Sequence, residues 1–166
     1  MGEKVHFQSE QSFCKKVDIL FSEQKTKLQS LLPSADIHHI GSTAVPGSLT
    51  KGDLDIQVRV ESEDFGIAKD LLLKFYEVNE GSVVTESFMS FKNDLSDPPL
   101  GIQLTVKDSE LDIFWKITEV LKENEAFRNE YDKLKMKYQG LDMDRYREAK
   151  GSFIAQLMES EAYKAK

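Results

Sequence analysis

Two aspartates and a glycine–serine pair lie close together between residues 37 and 60. Asp53 and Asp55 are two residues apart in an alternating apolar–polar run, which is typical of a β-strand, so both side chains point to one face. With Cα atoms roughly 7 Å apart, the two carboxylates can share a divalent cation. Because all of these ligand atoms are oxygens, the pair favours Mg²⁺ or Mn²⁺ over zinc.

The glycine–serine pair, Gly41 and Ser42, follows a short strand-like segment and precedes the first aspartate by ten residues. A glycine lets the backbone approach a phosphate closely, and N–H groups and a hydroxyl can hydrogen-bond its oxygens. Alone, an Asp-x-Asp strand is usually a solvated face, and Gly-Ser is a common turn. Joined in this order, they indicate a phosphate-holding turn beside a metal-binding pair, as phosphoryl or nucleotidyl transfer requires.

The elements that must position these residues follow from hydrophobic periodicity. Apolar residues at three- and four-residue steps predict helices over residues 10–32 and 64–76, and three helices after residue 109 with breaks near 124 and 139. Alternation predicts strands over residues 37–40, 53–61, 82–84, 87–92 and 100–106. This order predicts an α+β fold in which an N-terminal helix and a C-terminal helical group cover a small mixed sheet.

Length and charge limit the classes of function. The chain has 166 residues, which suits one domain over 1–166, with a sheet core over about 34–107 and C-terminal helices over about 109–163. Asp and Glu number 29 against 22 Lys and Arg, so the net charge is −7, which disfavours binding to long nucleic acid or to anionic lipid. A single cysteine, Cys14, excludes an internal disulfide, and without a leader or a membrane-spanning run the expected location is the cytoplasm.

The segment from His39 to Gly47 resembles the GrpB-like family, which comprises bacterial and some fungal proteins. Gly41-Ser42, followed by Asp53-Leu54-Asp55-Ile56, is similar to the signature of the wider nucleotidyltransferase superfamily, which has a DNA-polymerase-β-like fold. The C-terminal helices resemble those of the family as well. The matching residues there are Phe127, Tyr131, Leu134, Lys135, Tyr146, Ala149, Lys150, Phe153 and Ile154.

The resemblance implies that Gly41, Ser42 and Thr43 bind nucleotide phosphates and that Asp53 and Asp55 are catalytic and hold Mg²⁺ or Mn²⁺. It further implies transfer of a nucleoside monophosphate from an NTP to a hydroxyl of an unknown small molecule or protein.

The superfamily normally has a third carboxylate on a later strand, and this chain has none at the corresponding place. The polar face of residues 100–106 offers Gln103 and Thr105, and GrpB-like proteins often have a histidine at the position of Thr105. A threonine is no base near neutral pH. Glu86 is a substitute only if its side chain faces the cleft.

Four basic residues are candidates for a surface or a substrate role. For each of Lys51, Arg59, Lys135 and Lys150 a solvated surface charge is the expected role. If any of them contacts a phosphate or the substrate, Arg59 and Lys150 are favoured over the other two. Two alternatives to an active enzyme therefore stay open. One is a catalytically impaired nucleotide- or metal-binding module of the same fold, and the other is an interaction protein that acts through its charged C-terminal helices.

Overall fold

The computed structural model describes residues 2–166, which form seven strands and six α-helices. The strands are β1 (Gln8–Ser9), β2 (Asp36–Ile40), β3 (Leu49–Thr50), β4 (Leu54–Val60), β5 (Glu77–Val78), β6 (Phe88–Asn93) and β7 (Leu100–Val106). The helices are α1 (Cys14–Leu31), α2 (Phe65–Leu73), α3 (Phe114–Glu123), α4 (Glu125–Tyr138), α5 (Met143–Met158) and α6 (Glu161–Lys164). None of the helices in this part of the chain has both the length and the apolar composition needed to cross a membrane.

Five strands form one mixed sheet in the order β2–β4–β7–β6–β5. β4 and β7 are parallel, and the other neighbouring pairs are antiparallel. The register places Asp55 near the start of β4, opposite Ile40 at the end of β2 and Gly101 near the start of β7. The remaining strands, β1 and β3, pair with each other and tie the N-terminal segment to the region just before β4.

The apolar face of the sheet packs against α1 and α2. Alternate residues of β4 point to this face, and Leu54, Ile56 and Val58 are fully buried. α1 contributes Val17 and Leu28 to the same core. Burial of this alternating run explains why β4 is the most strongly patterned strand of the sequence.

The opposite face of β4 is polar and packs against α3 and the loop before it. Arg59 forms a bidentate pair with the buried Asp112, with Nε and Nη2 donating at 2.8 and 2.7 Å. Gln57, which is fully buried, donates to the same carboxylate at 2.9 Å and accepts from the backbone N–H of Trp115 at 2.9 Å. These charge-assisted bonds fix the start of α3 on the sheet.

The α+β class, the N-terminal helix and the C-terminal helical group predicted from the sequence are confirmed. His38 and His39 point to opposite faces of β2 as expected, since His38 stacks on Trp115 and His39 stacks on Phe21. The strand predicted over residues 82–84 is wrong, because Val83 and Val84 lie in an exposed loop with no partner strand to satisfy their backbone.

Candidate active site

The carboxylate of Asp55 lies between two glycines, Gly41 directly after β2 and Gly101 in β7. A Cβ atom at Gly41 would be 3.0 Å from Oδ2 of Asp55, and one at Gly101 would be 2.7 Å from Oδ1. Gly41 also has φ of +78°, a left-handed conformation that favours glycine. The two glycines therefore leave the space that the Asp55 carboxylate occupies.

The electrostatic surroundings of Asp55 disfavour its charge. Burial, and then the neighbouring charge of Asp53, raise the pKa of Asp55 to about 6, while Lys150 and Lys51 act in the opposite direction. Among residues 2–166, no hydrogen-bond donor to the Asp55 carboxylate lowers its pKa. The protein thus brings two carboxylates together without supplying the contacts that would stabilise both charges.

The turn after β2 begins at Gly41 and continues as a short 3-10 helix, Ser42–Ala44. The Gly41 N–H donates to Thr118 Oγ1 of α3 at 3.1 Å, and the Ser42 hydroxyl accepts from Lys135 Nζ at 3.1 Å. The turn is therefore held by two of the C-terminal helices, α3 and α4.

Thr43 has a different environment from Gly41 and Ser42. It is buried, its hydroxyl donates to the backbone carbonyl of Asp53 at 3.0 Å, and it lies 2.9 Å from His39 Nε2. Burial lowers the pKa of His39 to about 4, so this imidazole is neutral at pH 7. Thr43 thus joins the turn to the start of β4 and does not line the cavity beside them.

A cavity of about 360 Å³ lies between the polar face of the sheet and helices α3, α4 and α5. One end is polar and contains the turn and both aspartates, together with Thr50, Lys51, Gln103 and Lys150. The walls are mostly apolar or aromatic and comprise Phe7, Ile40, Ile113, Phe114, Ile117, Leu121, Tyr131, Tyr146 and Ile154, with the hydroxyl-bearing Thr118. Such a cavity offers one polar end for charged groups and an aromatic wall for a flat or apolar group.

Of the four candidates for a third position or a substrate contact, Gln103 and Lys150 line the cavity, whereas Thr105 and Arg59 do not. Because β4 and β7 are parallel, Thr105 lies beside Arg59, about 13 Å further along the strand than the level of Asp55. Thr105 is fully buried and its hydroxyl donates to the Gln103 carbonyl. Arg59 is engaged by Asp112 and Asp36.

No third carboxylate completes the pair in the described chain. Glu86 is exposed and is not a lining residue of the cavity. Across residues 2–166 there is no group of three or more His, Cys, Asp or Glu side chains placed to hold a metal ion. The position on β7 directly beside Asp55 is Gly101, and the next residue on that face, Gln103, is neutral.

The sequence-based interpretation missed several residues of this site. Lys135 is fully buried beneath the turn, where a solvated charge was expected. Tyr131 and Tyr146 line the cavity with hydroxyl groups 3.2 Å apart. The burial of Lys135 could have been predicted from the sequence, because it follows Tyr131 by four residues and so lies on the apolar face of the predicted helix.

Comparison with known proteins supports the assignment of fold and family. A UPF0157 protein of Vibrio cholerae serotype O1 is 28% identical over 160 residues, which are 95% of this chain and 84% of the relative. The crystal structure of the conserved protein GrpB from Enterococcus faecalis superposes with a TM-score of 0.73 at 22% identity, and covers 96% of this chain and 98% of that one.

A more distant structural neighbour is the Cid1 poly(U) polymerase bound to MgGTP, with a TM-score of 0.50 and 13% identity over 74% of this chain and 40% of that one. This similarity shows that the sheet and its helices have a nucleotidyltransferase-like fold. A family model described as GrpB protein matches residues 14–160. The match extends over most of the sequence, and the chain therefore belongs to the GrpB family.

Proposed function

We propose that this chain binds a nucleoside triphosphate with a divalent cation and transfers the nucleoside monophosphate to a second, small substrate. The observation that carries the proposal is the position of Asp55, between Gly41 and Gly101 and next to Asp53, at the polar end of a cavity that also contains Ser42. The fold shared with the Cid1 poly(U) polymerase, whose structure contains MgGTP, supports a nucleotide as the ligand.

The residues at the polar end fit a hard divalent cation. Asp53 and Asp55 offer only carboxylate oxygens, and Mg²⁺ is commonly bound by one or two carboxylates, with water and substrate phosphates as its other ligands. Both aspartates line the cavity, and side chains at the two glycine positions would crowd the Asp55 carboxylate. When bound, the cation would neutralise phosphate charge and stabilise the leaving pyrophosphate.

The protein's own groups would hold the triphosphate and the base. The Ser42 hydroxyl and the ammonium groups of Lys51 and Lys150 are donors at the polar end of the cavity, as phosphate oxygens require. Phe114 and Ile117, which are only partly buried, offer an apolar wall against which a base can pack.

A second candidate function is nucleotide binding without turnover. Gln103 lies in the cavity near the place where a third carboxylate would stand, and an amide cannot accept a proton from an acceptor hydroxyl near pH 7. Under this alternative the cavity holds the nucleotide and metal but releases no pyrophosphate.

Thermal unfolding with ligands tests the shared part of both candidates. We expect MgATP or another MgNTP, at about 100 times its Kd, to raise the Tm by about 5–10 °C. Asp55→Asn should abolish this ligand-induced shift and weaken Mn²⁺ binding measured by titration calorimetry. Asp70→Asn, on the exposed surface of α2, is the matched control. If no NTP shifts the Tm and Asp55→Asn leaves Mn²⁺ binding unchanged, the site has neither function.

Pyrophosphate release separates the two candidates. Wild-type protein with each MgNTP and a panel of small acceptors should release pyrophosphate if it is a transferase, and Asp53→Ala should stop the release. Ligand-induced stabilisation without release by the wild type, across the whole panel, would instead support the binding module.

A further inference from the structure

Lys135 is a buried cation that the proposed reaction does not use. It lies on α4 one turn after Tyr131, and no part of it is exposed. Removing an ammonium group from water is unfavourable unless its donors are fully paired. Burial lowers its pKa to about 8. This buried ammonium group lies directly beside the Gly41–Ser42 turn, where it donates to the Ser42 hydroxyl.

The contacts of Lys135 connect the turn after β2 to the start of β3. Its ammonium group donates to the Ser42 hydroxyl at 3.1 Å, to the Ser48 hydroxyl at 3.2 Å and to the backbone carbonyl of Leu49. An ammonium group has three N–H donors, so these acceptors use all of them. The ring of Tyr131, 3.9 Å away, and the carboxylate of Asp132, 3.7 Å away, complete its surroundings.

Full use of its donors means that Lys135 acts on a ligand only through another group. An ammonium group has no lone pair, so the Ser42 oxygen must be the acceptor in their hydrogen bond. The proton of the Ser42 hydroxyl is then left to donate elsewhere. A hydroxyl that accepts from a cation is also polarised into a stronger donor. Ser42 lines the cavity beside the aspartates, where an anionic oxygen would receive that proton.

We propose that Lys135 is a positioning residue that makes the Ser42 hydroxyl a donor to a phosphate oxygen, without itself touching the nucleotide. The inference rests on the proposed function, because it assigns a phosphate to this end of the cavity. The Tyr131 hydroxyl lies next to Ser42 and is the protein group with which the phosphate would compete for that proton.

A double-mutant cycle tests whether Lys135 acts through Ser42. The Kd for MgNTP is measured by calorimetry, well below the Tm, for the wild type, Lys135→Met, Ser42→Ala and the double variant. We expect each single change to weaken binding by about tenfold or more, and Lys135→Met to weaken it by less than about threefold once Ser42 is alanine. Lys133→Met, on the exposed surface of the same helix, should leave the Kd unchanged.

A purely structural lysine gives a different pattern. In that case Lys135→Met lowers the Tm but leaves the Kd of the folded protein for MgNTP unchanged, or its effect on the Kd adds fully to that of Ser42→Ala. Either result overturns the role of Lys135 and leaves the proposed function standing. Absence of MgNTP binding by the wild type overturns it together with the proposed function.

If Lys135→Met does not fold, Lys135→Arg gives the test. It keeps the charge, but a planar guanidinium cannot serve the same three acceptors. We expect the protein to fold and to bind MgNTP at least about fivefold more weakly, and an unchanged Kd would overturn the inference.

Discussion

At the scale of single residues, the site places charge where the fold does not favour it. Burial and the charge of Asp53 raise the pKa of Asp55. Two glycines, and not hydrogen-bond donors, flank its carboxylate. Groups of this kind commonly reduce the stability of a protein while serving its function. The proposed divalent cation would supply the missing stabilisation, and two predictions follow from this arrangement.

Removing the charge of Asp55 should stabilise the metal-free protein at neutral pH. The pKa of Asp55 is about 6 in the folded protein and 3.8 for the free group, so its charge destabilises the fold increasingly as pH rises through this range. We expect Asp55→Asn to raise the free energy of unfolding by up to about 3 kcal/mol at pH 7.5 and by distinctly less at pH 5. Urea unfolding without divalent cations measures both values, and an equal gain at the two pH values would contradict the prediction.

A methyl group at Gly101 should disturb the carboxylate directly. Its Cβ would be 2.7 Å from Oδ1 of Asp55, so we expect Gly101→Ala to lower the free energy of unfolding by about 1–3 kcal/mol and to weaken Mn²⁺ binding. Gly66, on α2, has nothing within 4 Å of its Cβ position. Gly66→Ala should therefore raise the stability by about 0.5–1 kcal/mol and leave Mn²⁺ binding unchanged, and similar effects of both substitutions would contradict this account.

At the scale of elements, α3 connects the sheet to the cavity. Its first turn and the preceding Asp112 are bound to β4 through Gln57, and Phe114 and Ile117 of the helix line the cavity. Thr118 accepts from the N–H of Gly41, which fixes the turn against the helix. The shape of the site therefore depends on an ion pair on the sheet face outside the cavity.

Loss of Asp112 should loosen α3. Arg59 would lose its bidentate partner and retain only Asp36, in surroundings where its side chain is 12% exposed. Breaking such a buried pair is expected to lower the free energy of unfolding by about 3–5 kcal/mol. Asp112→Ala should also weaken MgNTP binding, whereas Glu110→Ala, an exposed carboxylate in the same loop, should change neither. Urea unfolding and calorimetry measure the two effects, and a change below about 1 kcal/mol would argue against this role of the ion pair.

At the scale of the whole molecule, net charge and cavity size favour a small ligand. The net charge of −7 repels polyanions, and the cavity of about 360 Å³ is bounded by sheet and helices. Basic groups are present at the site, but they face a space of the size of a small molecule. This arrangement suits a nucleotide and a small acceptor better than a polymer.

Single-stranded RNA should therefore not bind. We expect fluorescein-labelled 15-nucleotide poly(U) and poly(A) to show no anisotropy change up to about 100 µM protein at 150 mM salt, since binding of a polyanion requires a positive surface. MgNTP binding under the same conditions is the positive control. Tight oligonucleotide binding would show that local charge overrides the net charge.

The elements, and the placing of the two aspartates near the Gly-Ser turn, were largely predictable, whereas the buried residues that contact them were not. Alternation identified β4 because one of its faces is buried, and the residues of the Gly-Ser and Asp-x-Asp motifs line one cavity. The strand predicted over 82–84 was wrong because its apolar residues have no sheet neighbour. Thr105 and Gln103 could not be told apart, since both stand on the same strand face and only the register with β4 separates them.

The sequence by itself determined the α+β class, the two carboxylates, the Gly-Ser turn and the family, because these depend on local periodicity and on short ordered motifs. The tertiary structure decided which charges are buried and what they contact. Lys135 meets Ser42 across 93 residues, and Gly101 meets Asp55 through the pairing of β4 with β7. Such contacts depend on how distant elements pack, which no local pattern of residues records.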